Sequence, residues 1–378
     1  MTIVAHMADI HLGYRQYGLT EREQDIYESF EETIDKILEE HAKTVVISGD
    51  LFHSPRPPIR ALYVAKKCFE KLSHHGVKVF CILGDHDIPR RIGEWNPVAF
   101  FKDWLLIHLN GQVVELEQGG VKTVLAGLDK PPLVAVERTR QTLEEMSRKA
   151  AGLVGRKILI THVPLRGSAD DLSVDSLPAG FDYYALGHEH VRKIMRKGGG
   201  TAAYPGSVEI LSRDEVATWV RDGKGFYLID LTSTELEPTP INLEHVRPQA
   251  IHEIHLSQPI TEIVEWVSRQ NKKPIVHLNI KDSAVDAKKL REVIDELRSR
   301  GCLDVRYRRT VEETVASFEQ LLVRGQPVFD IEAVIKQSIS EAQLSEQEAE
   351  LTLILYKIFH NEGEHALREY ILKKAGEK

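Results

Sequence analysis

The chain has 378 residues, of which 42% are hydrophobic and 28% are charged, so wholesale disorder is excluded and two or three domains are expected. Asp and Glu (57) outnumber Lys and Arg (49); the net charge of −8 excludes a uniformly basic surface but leaves room for a local nucleic-acid-binding patch. The three cysteines form no CxxC pair, which excludes a disulfide framework. No signal-peptide pattern or membrane-length apolar run is present, so we expect a cytoplasmic, nucleoid-associated protein that does not bind membranes.

The first 240 residues alternate β-rich runs with helical patterns, which is typical of a layered α/β fold. Thr20 and Glu23 have the spacing of a capping box, and Asn96-Pro97 predicts an N-cap. The predicted strands are 2–7, 43–48, 77–83, 121–125, 157–160 and 183–186. The predicted helices are 21–40, one after Pro57-Pro58, 98–106 and 137–150.

The chain becomes rich in proline and irregular near residues 238–248, which predicts a domain boundary. A strand–helix–strand–helix–strand pattern follows and predicts a small α/β domain. A second irregular stretch ends near residue 327, and the remaining tail has a helical pattern. We therefore divide the chain into residues 1–240, 248–312 and 326–378.

Aspartate and histidine side chains follow five of the predicted strands. Because the carboxyl ends of parallel strands meet at one edge of a sheet, we expect these side chains to lie together. Those singled out as metal ligands are Asp9, His11, Asp50, Asp85, His162, His188 and His190, and His53 and His86 lie beside them.

Carboxylates mixed with imidazoles, without thiolates, suit Mn²⁺, Fe²⁺ or Zn²⁺ rather than a structural zinc site. Any one of these motifs alone is most often a solvated turn. Together they suffice for two metals if one carboxylate bridges, and paired metals ~3.5–4 Å apart serve in-line displacement at phosphorus. The sequence therefore predicts a two-metal phosphoesterase.

The series Asp-x-His, Gly-Asp-x-x-His, Gly-Asp-His-Asp, His and Gly-His-x-His resembles the calcineurin-like metallophosphoesterase superfamily. Residues 11–17, 48–53 and 187–190 further resemble the meiotic recombination eleven family of DNA double-strand-break repair nucleases, the archaeal and eukaryotic counterpart of bacterial SbcD. The resemblance implies an αββα sandwich over 1–240, a DNA-binding α/β capping domain over 248–312 and a helical segment over 326–378 that binds an SMC-like coiled-coil ABC ATPase. It also implies a homodimeric, Mn²⁺-dependent exonuclease and endonuclease that processes DNA ends.

The same resemblance implies a role for each site residue. Asp9, His11, Asp50 and His190 would hold one Mn²⁺, and Asp50, Asp85, His162 and His188 the other, with Asp50 bridging. His86 would protonate or stabilise the leaving oxygen, and His53 would contact the scissile phosphate. The family usually has Asn where this chain has Asp85, so the sequence departs from the pattern at that ligand.

Basic residues near the motifs are candidates for DNA-backbone contacts, although a charge run is more often a solvated surface. They are Arg56, Arg90, Arg91, Arg192 and Lys193, with Arg306 and Arg308 in the small domain. The apolar stretches 62–72 and 98–106 are candidates for the dimer contact. Apolar residues at helical spacing within 351–371 either bind the ATPase or pack within the chain.

Two other functions stay open at this point. One is a metallophosphoesterase that acts on small phosphodiesters. The other is a catalytically weak scaffold that binds DNA ends.

Overall fold

The computed structural model describes residues 2–89, 91, 93–102, 104–131, 136–165, 173–282, 285–309, 354, 355 and 370. Residues 1–310 form one compact unit and residues 311–378 a second. Except for its three described positions, the predicted partner-binding segment 326–378 lies outside the described residues, as does Arg90. The boundary between 240 and 248 stays a prediction.

The described strands form three sheets. In chain order they are β1 (Ile3–Met7), β2 (Thr44–Ser48), β3 (Lys78–Ile82), β4 (Ile107–His108), β5 (Gln112–Gln118), β6 (Val121–Leu128), β7 (Arg156–His162), β8 (Tyr183–Gly187), β9 (Lys193–Lys197), β10 (Gly200–Tyr204), β11 (Gly225–Asp230), β12 (Thr239–Asn242), β13 (Gln249–Ile254), β14 (Ile275–Ile280) and β15 (Asp304–Arg309). The α-helices are α1 (Thr20–Glu39), α2 (Ile59–His74), α3 (Val136–Ala151), α4 (Val216–Asp222), α5 (Thr261–Ser268) and α6 (Ala287–Ser299).

Two six-stranded sheets make up the larger part of the fold, in the orders β12-β11-β1-β2-β3-β4 and β5-β6-β7-β8-β10-β9. Strands β1 to β4 run parallel, as do β6, β7, β8 and β10, while β11, β12, β5 and β9 join their sheets through antiparallel pairing. The third sheet is β13-β14-β15, all parallel. Parallel neighbours bring several carboxyl ends to the same edge.

The two large sheets pack face to face and carry helices on their outer faces. Val4 and Phe80 of one sheet share a buried core with Ile160 of the other. Phe30 of α1 and Phe69 of α2 pack on the outer face of the first sheet. Helix α3 covers the outer face of the second sheet in the same way. The predicted αββα sandwich is confirmed.

Two predictions about the helices need correction. The capping box is wrong: α1 begins at Thr20 without a side-chain cap, and the Glu23 carboxylate accepts from Arg15 and Tyr27 instead. The predicted helix 98–106 is only a short 3₁₀ turn, Pro97–Phe100, although Asn96 caps it as expected. The chain must extend again by Ile107 because β4 pairs with β3.

The two apolar stretches offered for a dimer contact are only partly buried, and the contact itself stays a prediction. In α2, Ala65, Phe69 and Leu72 are buried against the first sheet, and Val98 and Leu106 are buried as well. The apolar stripe of α2 thus reports packing within the chain. Phe100 and Trp104 of the second stretch are exposed.

A buried ion-pair network joins α1 to the segments that flank β13 and β14. The Asp25 carboxylate accepts hydrogen bonds from Arg22 (2.6 Å) and from Arg247 Nη2 (2.8 Å), and its Oδ1 lies 2.6 Å from Lys272 Nζ. Burial alone would raise the pKa of Asp25, but the hydrogen bond from Arg247 and the charge of Arg22 outweigh it and lower that pKa.

We expect Asp25→Asn to reduce the free energy of unfolding by about 3 kcal/mol, because it leaves buried cations without their shared counter-charge. Urea unfolding measures the effect. Asp35→Asn, which removes an exposed partner of Lys71, is the matched control and should cost about 0–1 kcal/mol. Equal, small losses in both variants would contradict a structural role for the network.

No helix within the described residues combines the length and the apolar character needed to cross a bilayer.

Candidate metal centre

The predicted site residues lie at the carboxyl ends of central strands in both large sheets. The segments are 8–11 after β1, 49–53 after β2, 83–87 after β3, 162 at the end of β7 and 188–190 after β8. Backbone hydrogen bonds from Asp9 to Gly49 (3.1 Å) and from His11 to Asp50 (3.0 Å) hold the first two loops side by side. The facing sheets thus deliver ligands from opposite sides.

Four of these residues have strained backbones. Asp9, His11, Asp50 and His188 adopt φ angles of 53°, 54°, 52° and 104°, in the positive-φ region that residues other than glycine seldom occupy. Each such residue costs about 1 kcal/mol or more, so the surrounding structure must impose the conformation. Strain of this kind typically accumulates at functional sites.

Two glycines permit the close approach of the loops. A Cβ on Gly187 would lie 1.9 Å from the Ser48 carbonyl oxygen, and one on Gly49 would lie 2.4 Å from His162 Nδ1. Any side chain at these positions would push the two sheets apart. The glycines in the Gly-Asp and Gly-His motifs are therefore required by packing.

The structure brings the seven predicted ligands together in linked groups. Within each group one donor atom per residue lies within 4.8 Å of the others. The groups are Asp9, His11 and His190; Asp9, Asp50 and His162; and Asp85, His162 and His188. Asp50 lies between the outer two groups, since its Oδ2 is 3.6 Å from His11 Nε2 and 3.4 Å from His162 Nε2.

The histidine tautomers agree with metal binding. His162 Nδ1 donates to the Ser48 carbonyl oxygen at 2.8 Å, which leaves Nε2 with its lone pair. That Nε2 is buried without a hydrogen-bond partner and faces Asp50 and Asp85. A buried acceptor of this kind is costly unless something binds it, and a divalent cation would satisfy it. The donor set of imidazoles and carboxylates therefore fits a dinuclear metal site.

Asp85 has a partner that the sequence did not suggest. Both carboxylate oxygens lie 2.7 Å from Lys130 Nζ, and Oδ2 lies 3.0 Å from His188 Nδ1. The Lys130 side chain is only 7% exposed, whereas that of Asp85 is 39% exposed. Burial alone would raise the pKa of Asp85, but the neighbouring His162 imidazole and the hydrogen bonds from His188 and Lys130 hold that pKa well below its usual range.

His53 and His86 lie beside the ligand cluster with their rings stacked 4.8 Å apart. His86 Nδ1 is 2.9 Å from the His53 carbonyl oxygen, and His53 Nδ1 is 3.3 Å from His11 Nδ1. The Tyr14 ring also contacts His53, with ring centroids 4.1 Å apart and the planes tilted by 31°. Burial and the neighbouring His86 lower the pKa of His53 to about 4, so its imidazole is neutral near pH 7.

The buried Asp87 links the loop after β2 to the loop after β3. Its carboxylate accepts from the backbone N–H groups of Leu51, Phe52 and Gly84. Burial and the charge of Asp50 raise the pKa of Asp87 to about 7. Its contacts thus bind the second and third motifs together.

The basic residues proposed for DNA contact differ in how far their side chains already bond to other groups of the protein. Arg56 is exposed but paired with Glu94, Arg308 bonds Asn279, and Arg91 and Lys193 are exposed. Arg192 donates to the carbonyl oxygens of Asp222 and Ile241 and lies over Tyr227. Arg306 lies over the Tyr17 ring at 4.2 Å. Arg192 and Arg306 therefore have structural partners already.

Sequence reasoning missed the residues that support the ligands. Lys130, Glu215 and Lys224 lie in no motif, and only contacts between distant segments reveal them. Lys130 lies two residues after the end of β6. Its positive charge is the sequence signal that could have been paired with the carboxylate of Asp85, which stands where the family usually has Asn.

Comparison with known proteins agrees with this geometry. Residues 2–192 match the calcineurin-like phosphoesterase family. The DNA double-strand break repair protein Mre11 of Methanocaldococcus jannaschii is 36% identical over 284 residues, which are 73% of this chain and 76% of that protein. Mre11 of Saccharolobus solfataricus is 30% identical over 390 residues, covering 100% of this chain and 99% of that protein.

The family match spans the five motif-bearing segments, and the relatives extend the similarity over most of the chain. The chain therefore belongs to the calcineurin-like phosphoesterases and, within them, to the Mre11 DNA double-strand break repair proteins.

Proposed function

We propose that this chain is a Mn²⁺-dependent nuclease that cleaves DNA ends, as exonuclease and endonuclease, during double-strand break repair. The observation that carries the proposal is the cluster of seven carboxylate and imidazole ligands at the meeting edge of two sheets, in a chain of the Mre11 family. Oxygen and nitrogen donors without thiolates suit Mn²⁺.

In this proposal Asp9, His11, Asp50 and His190 hold one ion. Asp85, His162 and His188 hold the other, with Asp50 shared. When bound, the two ions stabilise the charge that develops on the phosphoryl oxygens and supply a nucleophile at neutral pH.

The remaining residues act on the substrate. His53 is neutral near pH 7, and its ring contacts both Tyr14 and His86, which orient it to donate a hydrogen bond to the scissile phosphate. His86 donates its Nδ1–H to the His53 carbonyl oxygen, so that in its imidazolium form it would deliver the Nε2 proton to the leaving oxygen and return to the neutral ring. Arg56, Arg91 and Lys193 are exposed and are our choices for backbone phosphate contacts.

The proposed activity is tested with end-labelled duplex DNA and with a small aryl phosphodiester, each with and without Mn²⁺. We expect Mn²⁺-dependent degradation of the DNA at a much higher kcat/KM than hydrolysis of the small ester. A preference for the small ester would indicate a general phosphodiesterase. Tight DNA binding without cleavage would indicate a scaffold.

We also propose that the chain works with an SMC-like coiled-coil ABC ATPase through residues 326–378. Truncation after Gly325 keeps all residues up to 310, which form a compact unit, and removes the apolar residues at helical spacing in the tail sequence. We expect a folded nuclease that no longer co-purifies with the ATPase. Retained co-purification would locate the contact elsewhere in the chain.

A homodimer is the third part of the proposal. Its support is a set of large apolar side chains exposed on α2 and on the segment after β3: Ile59, Tyr63, Trp95, Phe100 and Trp104. A contiguous patch of such residues would mark an interaction surface. Sedimentation of Tyr63→Glu/Trp104→Glu should show a monomer where the unmodified chain is a dimer. An unchanged dimer would exclude this surface.

A further inference from the structure

One buried ion pair fixes both the ring and the backbone of His190. Glu215 directly precedes α4 and Lys224 directly precedes β11, and both lie beyond the segment that matches the phosphoesterase family. Glu215 Oε1 lies 3.1 Å from His190 Nδ1. Lys224 Nζ donates to the carbonyl oxygen of the same histidine at 2.8 Å.

The polar atoms of the pair are almost fully satisfied within the protein. Lys224 Nζ also donates to Ser207 Oγ at 2.7 Å and to Glu215 Oε2, so its three protons have three acceptors. Glu215 Oε2 accepts in addition from the Leu211 N–H at 3.2 Å. Both side chains are at least 95% buried, where an unpaired charge would be costly. The pair is neutral as a whole and adds no net charge to the metal centre.

The arrangement selects one tautomer of His190. A carboxylate oxygen beside Nδ1 requires the proton on Nδ1, which leaves the lone pair on Nε2. His190 Nε2 is 3.3 Å from His11 Nε2, and these two rings form one ligand group with Asp9. Carboxylates that accept from the second nitrogen of a metal-binding histidine orient the ring and strengthen it as a ligand.

We propose that Glu215 and Lys224 are positioning residues that hold His190 with Nε2 directed at the Asp9–His11 group, and that they thereby set the affinity of the metal bound there. Glu215 orients the ring, and Lys224 fixes the backbone of His190 and neutralises Glu215. The inference rests on the proposed two-metal site, although not on the substrate cleaved there.

The first test needs no substitution. Long-range ¹H–¹⁵N correlation spectra of the metal-free protein, labelled on histidine, report the tautomer of each ring, and comparison with His190→Gln assigns His190. We expect a proton on Nδ1. A proton on Nε2 alone would overturn the proposal.

The second test measures Mn²⁺ binding by calorimetry in Glu215→Gln/Lys224→Met, which removes both charges together and leaves no buried ion unpaired. We expect one of the two ions to bind about 10- to 100-fold more weakly and the other to be nearly unchanged. Glu215→Gln alone should show the same selective loss, and it decides the question if the double variant does not fold. Two ions bound with unmodified affinity would overturn the proposal.

Glu32→Gln is the matched control, because Glu32 pairs with His245 at 2.9 Å outside the metal centre. It should leave both Mn²⁺ affinities unchanged, and an equal loss there would mean that the effect is not specific to His190. If the unmodified chain binds two Mn²⁺ ions but cleaves no DNA, the proposed nuclease function fails while this inference stands. If it cleaves DNA but the double variant binds both ions normally, the inference fails alone.

Discussion

Replacing His86 with Ser should lower the turnover of DNA cleavage by about 10²- to 10⁴-fold, the usual contribution of a positioned general acid. His86 is not among the seven proposed ligands, and its Nδ1 is occupied by the His53 carbonyl oxygen at 2.9 Å. Its loss should therefore affect kcat and leave the binding of two Mn²⁺ ions and of DNA nearly unchanged. Single-turnover cleavage together with calorimetric Mn²⁺ titration measures these effects separately.

His75→Ser is the matched control for this substitution. His75 caps the end of α2, where its Nδ1 lies 2.8 Å from the Lys71 carbonyl oxygen, and it has no place in the proposed site. The control should cleave DNA normally. Because His86 also forms a possible ligand group with His11 and His53, loss of a bound ion in His86→Ser would mean that it coordinates metal. Unchanged turnover would remove it from the mechanism.

Asp85→Asn should selectively weaken the second metal ion, because a neutral amide replaces a carboxylate in the group formed with His162 and His188. The expected loss of Mn²⁺ affinity is about tenfold or more. Two divalent ions and the carboxylates of Asp9, Asp50 and Asp85 leave one net positive charge at the site. Lys130, bound to both oxygens of Asp85, adds a second positive charge. The Asp85–Lys130 pair therefore has a formal charge of zero, which is the charge of an asparagine at position 85 with no lysine beside it.

Lys130→Met provides the opposite change. It should strengthen binding of the second ion, because it frees the Asp85 oxygens and removes a nearby positive charge. In an Asp85→Asn background the gain should be smaller, since only the through-space repulsion by Lys130 is left to remove. Calorimetric Mn²⁺ titration of the unmodified chain, the two single variants and the double variant gives the coupling free energy between positions 85 and 130. Equal effects of Lys130→Met in both backgrounds would mean that the two side chains act on the metal independently.

The layered fold could be predicted from the sequence because buried parallel strands read as short apolar runs between helices. The edge strands β9 and β12 could not. Lys193 to Lys197 read as a basic cluster before three glycines, whereas the structure pairs this segment with Gly200–Tyr204 as an antiparallel hairpin. An edge strand with one solvated face and charged side chains lacks the apolar signal on which such predictions depend.

The same limit applies to the site. Its ligands follow strands in short motifs, so their convergence could be predicted from the topology of an α/β sheet. The supporting residues could not, because Lys224 reaches His190 across 34 positions of sequence and Lys130 reaches Asp85 across 45. Apolar periodicity likewise could not separate buried from exposed apolar positions in α2, where Phe69 is buried while Ile59 on the same helix is 85% exposed.

The most direct test of the account is a crystal of the chain soaked in Mn²⁺, with anomalous scattering recorded for manganese. We expect two anomalous peaks ~3.5–4 Å apart. One should be bound by Asp9, His11, Asp50 and His190, and the other by Asp50, Asp85, His162 and His188, with Lys130 beside Asp85 and Glu215 beside His190. A single ion, or two ions held by a different set of side chains, would contradict the proposed metal centre.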